Sequence, residues 1–171
     1  MRAILIRDFI LKCKEKRAPL SSSATVYSEV KFQRYFLRQE LTKQGFGSHE
    51  IGRILQVAEV KVKEFLTKIT IHQNLSHSRL SEVTKFFQQY ASDPRLVALA
   101  AKKQSLGQAA STIPGNNDLK ILAEALTLQN LYFVTTDEHY YILIQELESK
   151  FTFTLICPDN VHTKLSEFGW E

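Results

Sequence analysis

The sequence predicts an α/β protein with a largely parallel sheet covered by helices, and three observations lead there. Apolar and β-branched runs of strand length recur at Ala3–Ile6, Ile69–His72, Leu131–Val134 and Thr152–Ile156. Stretches with apolar residues at helical spacing lie between them. Strands joined through helices favour right-handed crossovers and parallel pairing. The chain of 171 residues, 44% hydrophobic and 23% charged, has globular proportions. No repeat, linker or low-complexity tract interrupts it, so residues 1–171 are expected to form one domain.

Taken in order, Ala3–Ile6 is the first strand, followed by a basic piece (Lys12–Arg17) and the loop APLSSS. A helix starts near Ala24, with Glu29, Phe32 and Phe36 on one face and Lys31, Arg34 and Arg38 on another. GFGSHE breaks the chain, with Ser48 as the expected N-cap. The next helix carries the stripe Ile51, Ile54, Leu55, Ala58, Val62 and Phe65, and KITIHQ is a strand. Leu80, Val83, Phe86, Phe87 and Tyr90 mark another helix; Asp93 caps the one after it, with Pro94 at its first position and Gly107 as its terminator. Leu119, Leu122, Ala123 and Leu126 form the stripe of a helix leading into LYFVTT, and a helix at about Glu138–Ser149 precedes the last strand, TFTLIC.

Composition narrows the function classes. No apolar run reaches the roughly 18–20 residues of a membrane span, and MRAILIRDFILKCKEKR does not read as a signal peptide. Cys13 and Cys157 form no CxxC pair and are read as buried thiols of a cytoplasmic protein. The five histidines lack metal-ligand spacing. A net charge of +4 permits a polyanionic partner without requiring one.

Candidate chemistry centres on acids at element ends. Asp137 stands where the Leu131–Thr136 strand finishes, the side of a parallel sheet on which sites form. Asp118 stands in the first turn of the preceding helix, where the dipole favours a carboxylate. Each is equally readable as a helix cap. Glu29 faces the apolar side of its helix, where an unpaired carboxylate is costly. Converging acids call for a neutralising cation, and Mg²⁺ or Mn²⁺ takes carboxylate and water ligands. Asn117 is read as a cap, Glu138 as a first-turn acid, and His139 as a surface residue. Lys31, Arg34 and Arg38, with Arg53, Lys61, Lys63 and Lys68 beyond them, form either an RNA-phosphate surface or a solvated helix face.

These residues also carry a resemblance. DLKILAEAL is similar to the helix-opening aspartate segment of the PIN-domain family, and VTTD, with Thr135 and Asp137, to the family's Ser or Thr two residues before an aspartate. ATVYSEVKFQRYFL resembles the family helix whose glutamate completes the acidic pocket, which points to Glu29. The resemblance spans nearly the whole chain. It departs at the start, where the family's strand and D-T-N or D-T-S motif are missing. In one register Ala3–Ile6 is the central strand and Asp8 replaces that aspartate; in the other ILIRDFI follows it and the aspartate is absent.

The resemblance implies a three-layer fold with a mainly parallel central sheet flanked by helices. It implies a Mg²⁺- or Mn²⁺-dependent endoribonuclease, with Asp8, Glu29, Asp118 and Asp137 as metal ligands and Thr135 bonding a ligand carboxylate or metal-bound water. Hydrolysis would leave a 3′-hydroxyl and a 5′-phosphate. VapC-type toxins, rRNA-processing endonucleases and small protein-only RNase P enzymes are family members, which adds an antitoxin or other protein partner and a homodimer to the expectations. The alternative is a degenerate PIN-like module that binds RNA or a protein without cutting. A phosphohydrolase of small esters has less support, since no Gly-rich phosphate loop is present.

Overall fold

The computed structural model describes residues 2–67, 69–72, 76–128 and 132–170, the side chains of 2–4 and 30–32 lying outside that description. It is a mostly helical α/β protein whose described strands form two small, two-stranded parallel sheets. The chain divides into two compact units, Pro19–Gln73 and Met1–Ala18 with Asn74–Glu171. The expected α/β class and parallel pairing hold. The expected central sheet does not form among the described residues: each strand is three residues long and pairs with one neighbour.

In the unit Pro19–Gln73, β1 (Ser21–Ser23) pairs with β2 (Thr70–His72), and α2 (Ala24–Lys43) packs against α3 (Ser48–Leu66). Three serines have little strand propensity, so the sequence reads as a loop there. Backbone pairing makes β1 nonetheless, extended by the Thr70 N–H donating to Leu20 O at 3.2 Å. Ser23 also caps α2, its hydroxyl accepting from the Val26 N–H at 3.2 Å. The turn between α2 and α3 needs Gly45, whose φ of +85° disfavours any residue with a Cβ. Leu41, Ile51 and Leu55 are buried there together. The cap of α3 is Gly47, with no side-chain bond, and Ser48 is already helical. Phe36 departs from its expected apolar face: it is 59% exposed.

In the other unit, α1 (Arg2–Glu15) replaces the strand expected at Ala3–Ile6. Ile6, Phe9 and Cys13 are the buried positions, a helical stripe that a strand would have split between two faces. Phe9 meets Phe168 and Trp170, ring centroids 6.5 and 6.4 Å away, beside α9 (Val161–Glu167). The main core joins α4 (His77–Gln89), α5 (Pro94–Ser105) and α6 (Asn116–Thr127) through Val83, Phe87, Leu96 and Leu122, all fully buried. Asp93 caps α5 and Pro94 opens it, while Gly107 follows its end at φ +68°, as the sequence predicts.

After α6 come β3 (Tyr132–Val134), α7 (Glu138–Ile142), α8 (Ile144–Phe151) and β4 (Thr154–Ile156), with β3 parallel to β4. The expected strand residue Leu131 lies outside the described residues. The single helix expected over Glu138–Ser149 is broken at Leu143, whose φ of −106° and ψ of 27° leave the helical region. That turn lets Tyr140, Leu143 and Leu147 all enter the core. Arg95 holds α5 to the end of α7 and to α8: Nη1 donates to Ile142 O at 3.0 Å and Nη2 to Glu146 Oε1 at 2.6 Å. No helix among the described residues is long and apolar enough to cross a membrane.

Candidate functional site

The end of β3 is where backbone geometry and acid chemistry meet. Thr135 extends the ladder, its N–H donating to Ile156 O at 3.0 Å, and its hydroxyl accepts from the Asp137 N–H at 3.1 Å. That bond turns the chain from strand to helix. Asp137 then caps α7: Oδ1 accepts from the His139 N–H at 3.0 Å and lies 2.7 Å from His139 Nδ1. The opposite ring nitrogen, Nε2, is 3.1 Å from Ser111 O, in the segment between α5 and α6. A carbonyl only accepts, so Nε2 donates there.

His139 is therefore not the surface residue the sequence predicts. Its side chain is 6% exposed, against 21% for Asp137. Burial works to raise the Asp137 carboxyl, but the bonds from the His139 ring and backbone, with the charges of His139 and Lys103, outweigh it and hold the group below its ordinary value. The carboxylate is kept ionised while partly withdrawn from water. Glu138 faces Lys102 at 3.8 Å, as befits a first-turn acid with a cation opposite. The missed signal was local: an aspartate cap accepts from the residue two positions on, which brings a histidine there beside the carboxylate.

Asp118 occupies the first turn of α6, three residues after its cap, Gly115, which has no side-chain bond. Its Oδ2 lies 3.0 Å from where a Cβ on Gly115 would stand, so the carboxylate folds back over the helix start. Asn117, read from sequence as a cap, lies inside the helix. Gly115→Ala is expected to crowd Asp118 and cost about 0.5–1 kcal/mol. In an Asp118→Ala background thermal denaturation should show that loss shrink toward zero; an equal loss in both backgrounds would rule out crowding by Asp118.

The remaining candidate acids lie on α1 and α2. Asp8 lies on α1, 54% exposed, with Arg7 Nε and Nη2 donating to its Oδ1 at 3.0 and 2.8 Å. The strand that was to end near Asp8 is a helix, so the register that placed it at a strand end is corrected. Glu29 is half-buried on α2, in the other compact unit. Among the described residues no three His, Cys, Asp or Glu side chains gather as a metal-ligand group.

On the basic stripe, Arg34 and Arg38 are exposed, while the side chain of Lys31 and all of Lys68 lie outside the described residues. Arg34 Nη1 donates to Glu59 Oε2 at 3.0 Å, and Lys63 lies 3.1 Å from Glu59 Oε1. The bond and charge of Lys63, with the charge of Arg34, lower the Glu59 carboxyl. Both cysteines are free and buried, and burial pushes both thiols up, which disfavours the reactive thiolate. No family model, no curated protein and no solved structure matches this chain.

Proposed function

We propose that the chain is a PIN-like module that binds RNA through the unit Pro19–Gln73 without hydrolysing it. The observation that carries the reading is charge. That unit holds eight lysines and arginines against five glutamates, so a third of the chain bears +3 of its net +4. Sequence-independent phosphate contacts are the chemistry such a surface performs best. The resemblance supplies the PIN-like part of the proposal. Two free, buried thiols accord with a reducing compartment such as the cytoplasm. The acids described above support binding over cutting: Asp8 is engaged by Arg7, and Asp137 Oδ1 by His139.

The second reading, a Mg²⁺- or Mn²⁺-dependent endoribonuclease, is favoured by one observation. Asp137 presents an ionised carboxylate at the carboxyl end of a parallel strand, with Asp118 opening the helix before that strand. End-labelled RNA incubated with Mg²⁺, Mn²⁺ or EDTA separates the two, with Asp137→Asn run beside the unaltered chain. The proposal expects RNA to be bound and intact in every arm. Metal-dependent cutting abolished by Asp137→Asn would replace it with the nuclease; an antitoxin or other protein partner becomes the leading alternative where RNA is not bound at all.

Arg38→Ala provides a quantitative check. Arg34 shares its charge with Glu59, whereas no ion pair is described for Arg38, so Arg38 is the stronger phosphate donor. Its removal is expected to weaken binding uniformly across RNA sequences and to reduce the slope of log K against log salt by about 1. An unchanged slope would move the phosphate contact off α2.

A further inference from the structure

We infer that α2 takes RNA as a single strand, with a base stacked on Tyr35 and the flanking phosphates on Arg34 and Arg38; this rests on the RNA-binding reading above and names the form of its substrate. Tyr35 and Phe36 are 61% and 59% exposed, an unusual outlay of aromatic surface on a helix whose neighbouring positions are arginine. Their rings meet edge to face, centroids 5.8 Å apart at 74°. The Tyr35 hydroxyl accepts from Gln39 Nε2 at 2.8 Å, so the ring is held from both its edge and its tip. A ring fixed in this way loses little side-chain entropy when a base lands on it.

Helical spacing does the rest. Arg38 falls at i+3 from Tyr35, on the neighbouring surface of the helix, and Arg34 falls at i−4 from Arg38, on the same face as Arg38. Aromatic stacking with cations alongside is how single strands are held without sequence preference. A duplex keeps its bases stacked on one another and offers a helix face only phosphates and grooves. The charge also decides among occupants: an apolar protein surface would have to desolvate both arginines, whereas a polyanion pairs with them.

The test is fluorescence anisotropy of the full chain in EDTA, with a labelled single strand of about 12 nucleotides and the same sequence as a duplex. Tyr35→Ala and Tyr35→Phe are compared with the unaltered chain, each checked for helix content by circular dichroism. The single strand should bind more tightly than the duplex. Tyr35→Ala should weaken single-strand binding by about 5- to 100-fold and leave duplex binding unchanged, while Tyr35→Phe should retain the affinity. Single-strand binding indifferent to Tyr35→Ala, or a duplex bound as tightly by the unaltered chain, would overturn this inference and leave RNA binding standing. No RNA bound in any form would overturn both.

Discussion

Phe87→Ala is expected to lower the unfolding free energy by about 3–5 kcal/mol. Phe87 is fully buried, with its ring edge-on to Phe86 at 5.3 Å and to Tyr140 at 5.6 Å. The Tyr140 contact joins α4 to α7, and α4 also packs along α6, whose Leu122 and Ala123 are fully buried. Truncation therefore removes the transfer free energy of a whole ring and leaves a void between elements pinned by their other contacts. Trp170 is the only tryptophan and packs on Phe9 and Phe168, in the same compact unit as Phe87. Its fluorescence in a denaturant titration reports that unit specifically. A Trp170-detected loss under about 1 kcal/mol would mean the site collapses around the missing ring, contrary to close packing there.

His139→Ala is expected to cost about 2–3 kcal/mol and to make the protein more sensitive to acid. The substitution takes the ring partner from Asp137 and releases the Ser111 carbonyl, untying the segment between α5 and α6 from α7. The backbone cap survives, because residue 139 keeps its N–H. The pH dependence has a definite sign. With its folded carboxyl held below the ordinary value of 3.8, Asp137 contributes stability that is fully present above that value and is lost as pH falls through the lower folded one. Without the ring, burial is left opposed only by weaker interactions, so the carboxyl rises and the acid limb of the stability profile moves to higher pH. Trp170-detected unfolding from neutral to acid pH reads both effects. An unshifted acid limb would show that His139 does not hold Asp137 ionised, whatever happened to stability at neutral pH.

The same residues show why the candidate site was only half legible. Asp137 at the end of a strand can be read from sequence, as can its two roles, ligand or cap. The bond that Asp137 makes to a ring two positions on cannot be read that way, because the ring's other nitrogen is held by the Ser111 carbonyl, 28 residues back. His139 lies in a run, DEHYY, whose polar first half looks solvated; its neighbour Tyr140 is what carries the run into the core. The strand expected before Asp8 failed for a related reason. AILI suits a strand as well as a helix over four residues, and a short run cannot separate the two periods. Phe36 is a third case, since helical spacing assigns it a face but cannot say whether anything covers that face.

The sequence alone determined what depends on neighbours along the chain. The stripes of α3, α4 and α6 repeat over enough turns to exclude a strand period, Asp93 followed by Pro94 specifies a helix start, and three of the four strands among the described residues lie where β-branched and apolar runs put them. Parallel pairing followed from the helices between them. Tertiary structure decided everything that requires two distant segments to choose each other. Phe168 and Trp170, more than 150 residues on, pack against Phe9 on the buried side of α1, which is a helix. Backbone pairing with β2 makes a strand of three serines, whose side chains hold no such information. Burial is a property of the partner surface as much as of the residue, so local spacing can name a face but only packing can say what it meets.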